Sequence, residues 1–280
     1  MAIFQKLALY FSYDFVQYAM IVGVLVSVCA AIFGVVLVLR HFSFIGDGLS
    51  HIAFGAMTIA AVAGVSDKMI IVMPITILAA VFLLGFGNKA KIKGESSIAM
   101  MAAGAMSIGY ILLSAFSTSS NVAGDVCGAL FGSHSILTLK KSDVIICVTM
   151  SVIVIALFIL MYNRIVALTF DEDFARAAGV KVVMNNLLVA IITAVIIVIA
   201  KHLVGSLLVS ALIVFPALSA MRITRSFKST VILAAVLSAF CSFAGIILSI
   251  LLSLPVGPSV VCVDIVGFAA CCVVGKIVRR

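Results

Sequence analysis

The feature that most constrains this chain is a recurrence. Apolar stretches of roughly 20 residues follow one another from end to end, parted by short polar gaps. A helix of that length, rising about 1.5 Å per residue, just crosses the hydrocarbon core of a bilayer. In lipid every backbone N–H and C=O must be paired internally, which leaves only helices and closed barrels. The runs are continuous rather than alternating, so they select helices. Charged residues make up 10% of the chain, against about 25% in a soluble domain. The expected fold class is all-α. We read a polytopic helical membrane protein with about nine transmembrane helices, within a range of about eight to ten.

The apolar runs place spans at 15–39, 46–65, 69–86, 96–116, 144–162, 186–200, 203–220, 230–252 and 259–278. Residues 1–14 suit an interfacial segment, with aromatics beside Lys6 and Asp14. They lack the small-residue cleavage site of a signal peptide. Residues 88–95 form a basic loop, and 117–143 is the longest polar connection, with a Leu-Phe-Gly turn and His134. Lys201-His202 is read as a tight outer turn. Pro216 is expected to break its span, and Arg40 and His41 to anchor at headgroups. The whole chain, 1–280, reads as one transmembrane domain.

Lys and Arg collect on the cytoplasmic side of membrane proteins. With the gap after the first span inside, 13 of the 18 basic residues fall on inner segments. The N-terminus is then outside and the C-terminus in the cytoplasm. The net charge of +8 therefore belongs to loops and does not point to nucleic acid. The seven cysteines form no Cys-x-x-Cys pair, and most lie inside apolar runs as small packing residues.

Residues 40–55, RHFSFIGDGLSHIAFG, carry the chemistry. Asp47 and His51 stand at i and i+4, on one helix face and about 6 Å apart along the axis. An ionised acid in hydrocarbon must face a cavity or a partner. A carboxylate and an imidazole together suit a divalent transition metal such as Zn²⁺ or Mn²⁺. Two readings stay open for Asp47, metal ligand or helix N-cap. Asp264, inside the last span, and His202 are further pathway candidates.

Residues 163–181 form a charged segment. Within it, Phe170, Asp171, Glu172, Asp173, Phe174, Arg176 and Gly179 mark a short amphipathic helix, with acids in the first turn and glycine near the end. It reads either as a docking helix for a soluble partner or as a solvated loop.

Five stretches, in order, resemble the permease subunit of zinc- and manganese-type ATP-binding-cassette importers. They are GVVLVLRHFSFIGDGLSH (34–51), ALFGSHS (129–135), FDEDFARAAGV (170–180), VGSLLVSALIVFPALSA (204–220) and the closing PVGPSVV turn. The resemblance implies a homodimer in a bacterial cytoplasmic membrane. It implies two ATPase subunits below, docked on 170–180, and an extracytoplasmic metal-binding protein above. It implies no permanently bound cofactor and a transported divalent metal, with zinc slightly preferred, at Asp47 and His51. The chain departs from the family pattern at Gly55, one residue early after His51, and at Asp264, where an apolar residue is usual. The chain holds no Gly-x-x-x-x-Gly-Lys-Ser/Thr loop, so ATP hydrolysis is expected in a separate subunit and the chain itself is not an enzyme. The alternatives are a related permease for iron chelates or cobalamin, and a gradient-driven secondary metal transporter.

Overall fold

The structure, a computed structural model, describes residues 10, 13–65, 67–86, 94–116 and 141–278. Most of the N-terminal segment, most of the basic loop and residues 117–140, with the Leu-Phe-Gly turn and His134, lie outside the described residues. Among the described residues there is no strand.

The described residues form ten helices, in order α1 (Asp14–Leu39), α2 (Ile45–Val62), α3 (Met69–Phe86), α4 (Gly94–Phe116), α5 (Lys141–Phe170), α6 (Glu172–Ala177), α7 (Val182–Val204), α8 (Ser206–Ile223), α9 (Phe227–Leu252) and α10 (Val256–Val278). Seven are long and apolar enough to cross a membrane, and two shorter apolar helices, within α3 and α8, join them. The short α6 is the expected amphipathic helix. The chain is a polytopic all-helical membrane protein.

α1 is the hub. Nine consecutive residues, Cys29 to Leu37, are buried. A helix buried on successive residues is enclosed on all sides, as an all-round apolar sequence demands. It packs on α5, α7, α8 and α9. By contrast α4 turns Met100, Ile108, Ile111 and Phe116 outward, as a lipid-facing helix does.

Water expulsion does not drive helices together in lipid, so close backbone approach and interhelical hydrogen bonds must do it. Gly34 supplies the approach: a Cβ there would lie 2.2 Å from the carbonyl oxygen of Ile213 on α8. Ser27 and Ser238 supply the bonds. The Ser238 hydroxyl donates to the Ser27 carbonyl at 2.9 Å and clasps α9 to α1, while the one Ser27 hydroxyl proton is shared between the Val24 carbonyl of its own helix at 2.8 Å and the Ser238 carbonyl at 3.3 Å. Each such bond contributes roughly 0.6 kcal/mol in a membrane interior.

Four expectations are corrected. α5 runs on to Phe170, past the boundary drawn at 162, because Met161, Ile165 and Leu168 continue a buried helical stripe. α7 continues through Lys201 and His202 to Val204. The reversal into α8 sits at Gly205, whose φ of 98° and ψ of 154° suit glycine alone. α8 passes through Pro216 unbroken, since a membrane helix tolerates one lost N–H where neighbours compensate. Arg40 is a buried group and not a headgroup anchor, for a reason given below.

Candidate functional site

The turn from α1 to α2 is tight. Arg40 caps α1, His41 takes a left-handed φ of 60°, and the Phe42 N–H returns to the Leu37 carbonyl at 2.8 Å. Phe42 and Ile45 are sealed in the core. α2 then starts at Ile45 with Phe44 as N-cap, so Asp47 sits inside the first turn and does not cap the helix. A carboxylate there is favoured by the helix dipole.

Asp47 Oδ1 lies 3.4 Å from His51 Nε2. The acid side chain is 51% exposed and the imidazole 18%. The His51 Nδ1 is buried without a protein partner, as is the Ser50 hydroxyl. The pair therefore shares one side of α2, opens toward Asp47, and keeps hydrogen-bonding capacity uncommitted. Among the described residues no third His, Cys, Asp or Glu joins them.

Sequence reasoning missed one neighbour. Lys201, three residues before the end of α7, is 9% exposed. Its ammonium donates to the Ser50 carbonyl at 2.8 Å and lies 5.5 Å from the centre of the Phe54 ring. A cation inside a membrane bundle needs named partners. Here a backbone carbonyl and an aromatic face supply them. The signal was present as a lysine three positions inside a continuous apolar helix.

Asp264 is 2% exposed on α10, which packs on α8 and α9. The Cys241 side chain on α9 neighbours its carboxyl group, whose Oδ2 is buried without a protein partner. It does not join Asp47 and His51. The backbone of His202 belongs to α7, and its side chain lies outside the described residues.

The docking candidates separate by face. Asp171 is the N-cap of α6, accepting from the Asp173 and Phe174 N–H groups at 2.9 Å each. Gly179, at φ 82°, closes the helix, with the Val180 N–H returning to the Ala175 carbonyl at 3.0 Å. Ala175 is fully buried and joins Leu168 and Val182 in a small core. Phe174 points outward at 68% exposure, so the apolar side of α6 facing the bundle is Ala175 and not the phenylalanine. Phe170 ends α5, also exposed, with its ring 6.0 Å from that of Phe227. Arg176 and Asp173 make an exposed 3.6 Å pair that adds little stability.

Glu172 turns inward. Its Oε1 accepts from Arg40 Nη2 at 2.6 Å and from Asn186 Nδ2 at 3.1 Å, and Arg40 Nη1 donates to Asn186 Oδ1 at 3.1 Å. This closed triad holds Arg40 at 5% side-chain exposure. A snorkelling arginine needs no such partners, whereas a buried one does.

The sequence profile of the ABC 3 transport family matches residues 12–275. The chain belongs to that family. The manganese transport system membrane protein MntC of Listeria monocytogenes is 29% identical over 257 residues, covering 91% of this chain and 89% of the relative. The high-affinity zinc uptake system membrane protein ZnuB of Haemophilus influenzae is 26% identical over 243 residues, covering 87% and 91%. Among solved structures, PsaBC from Streptococcus pneumoniae in complex with Fab superposes with a TM-score of 0.81, covering 95% of this chain and 94% of that one at 23% identity. This ABC 3 chain thus shares the fold of that solved structure. The resemblance read from five short stretches holds across almost the full length. The chain is a multi-pass membrane permease, and the chelate-type and gradient-driven alternatives are not favoured.

Proposed function

We propose that this chain is the permease subunit of an ATP-binding-cassette importer that moves a divalent transition metal, Zn²⁺ or Mn²⁺, into the bacterial cytoplasm. The observation that carries the reading is the Asp47–His51 pair, 3.4 Å apart on the first turns of α2, within a chain of this family. A mixed oxygen and nitrogen donor set suits both metals. Relatives named for manganese and for zinc match at similar identity, so the preference for zinc taken from the resemblance is dropped.

In this reading the metal is cargo. Asp47 and His51 supply one carboxylate and one imidazole, and a second copy of the chain supplies another of each. The positive end of α2 and the nearby Lys201 ammonium oppose tight cation binding, which suits a site that must release its ion. An extracytoplasmic metal-binding protein delivers the ion from above. Two ATPase subunits below engage α6 through Phe174, and their closure alternates access to the site.

The test is uptake of ⁵⁴Mn²⁺ and ⁶⁵Zn²⁺ by proteoliposomes holding the permease with its ATPase and binding protein. Wild type accumulates one of the two metals only when ATP is supplied on the ATPase side. Phe174→Ala weakens ATPase association at least about tenfold, as loss of a buried aromatic anchor does. Uptake driven by an ion gradient without ATP, or full ATPase association in Phe174→Ala, contradicts the reading.

A further inference from the structure

The triad of Arg40, Glu172 and Asn186 joins the end of α1 to two consecutive helices, α6 and α7, that lie 132 and 146 positions further along the chain. Arg40 is the cap of α1, Glu172 the first residue of α6, and Asn186 stands in the first turns of α7. Three hydrogen bonds close it, and one carboxylate oxygen accepts two of them. A guanidinium–carboxylate bond with little water around it is among the stronger side-chain contacts, and loss of either member strands a charge.

The position of the triad gives it a use. From Arg40 the chain reaches α2 through His41–Phe44 alone, and within that turn Phe42 is 3% exposed. Ile45, the first residue of α2, is fully buried, and its N–H bonds the Phe42 carbonyl at 3.1 Å. So short a connection, anchored by Phe42 although His41 and Phe44 are exposed, passes a displacement of Arg40 on to the turn that bears Asp47 and His51. α7 grips the same region twice. Its Asn186 holds Arg40, and its Lys201, fifteen residues and about 22 Å further along the helix, holds the Ser50 carbonyl. α6 therefore reaches Asp47 and His51 by two routes, through Arg40 into α2 and through Asn186 along α7.

We propose that Arg40, Glu172 and Asn186 are positioning residues that transmit movement of α6 to the Asp47–His51 turn. This rests on the importer reading above. The outward face of α6, with Phe174, meets the partner. The inward face, with Glu172, passes the displacement on.

The test measures metal transported per ATP hydrolysed in the reconstituted complex, with Mn²⁺ and Zn²⁺ as probes. Arg40→Gln leaves the complex assembled and hydrolysing ATP, but lowers the ratio about tenfold, the size of a typical coupling between sites. Asn186→Leu removes two of the three bonds while keeping the ion pair, and covers the case in which Arg40→Gln does not assemble. The exchange Arg40→Glu with Glu172→Arg restores part of the ratio that Arg40→Glu alone loses, a rescue that a merely structural role does not produce. An assembled Arg40→Gln or Asn186→Leu complex with the wild-type ratio overturns the proposal, as does an exchange that restores assembly without the ratio. Failure of the importer reading looks different: wild type itself then shows no ATP-dependent uptake, and both fall.

Discussion

Alanine at Asp47 or at His51 abolishes metal uptake and leaves the permease folded and bound to its partners. The reason lies in how little the pair contributes to the fold. The two side chains approach no closer than 3.4 Å, long for a hydrogen bond, and Asp47 is half exposed. A net contribution of about 0.5–1.5 kcal/mol is the most such a bond gives, so the melting temperature of the purified protein moves by only a few degrees. In the proposed reading, transport depends on the same two side chains far more steeply. Removing groups that merely orient a metal ligand costs about 10–100-fold in affinity or activity, and loss of a ligand itself exceeds that. Asp47→Asn keeps the shape and removes the charge, and it fails alike. Uptake near wild type in both alanine variants removes the site.

Alanine at Gly34 has the largest expected effect on stability. The added methyl meets the Ile213 carbonyl oxygen at 2.2 Å and its carbonyl carbon at 3.0 Å. Both are backbone atoms, and no side chain can swing away. α1 is enclosed by α5, α7, α8 and α9, so it cannot retreat without disturbing another contact. Overpacking of this kind costs about 1–3 kcal/mol or more. For a protein of this size that lowers the melting temperature by roughly 2–5 °C or more. Gly104 in α4 is the control. A Cβ there meets nothing within 4 Å, so alanine should hold stability or raise it slightly. Equal melting temperatures for Gly34→Ala and wild type contradict the packing described here.

The spans were legible because a bilayer imposes their length, and the polar gaps fall where it ends. Asp47 and His51 were legible because two ionisable groups at helical spacing stand out in an apolar chain. The cap-or-ligand ambiguity at Asp47 was not soluble from sequence, since a start at Gly48 and a start at Ile45 fit the same residues. The structure places the start at Ile45 and removes the cap. Arg40 was misread because an arginine at the end of an apolar run ordinarily reaches headgroups. Its partners lie 132 and 146 positions away, where no local pattern points to them. Lys201 was misread for the related reason that a Lys-His pair between apolar runs resembles a turn. The helix continues because glycine, the residue able to reverse it, comes only at 205. The overrun of α5 was visible in principle. Met161, Ile165 and Leu168 keep helical spacing, but Asn163 and Arg164 suggested an end.

The most direct test of the central claim is anomalous diffraction from the assembled transporter soaked in Mn²⁺ or Zn²⁺ and recorded at that metal's absorption edge. The account predicts a peak at about 2.0–2.2 Å from a nitrogen of His51 and from a carboxylate oxygen of Asp47. A bound metal in the transmembrane region that contacts neither residue would contradict it.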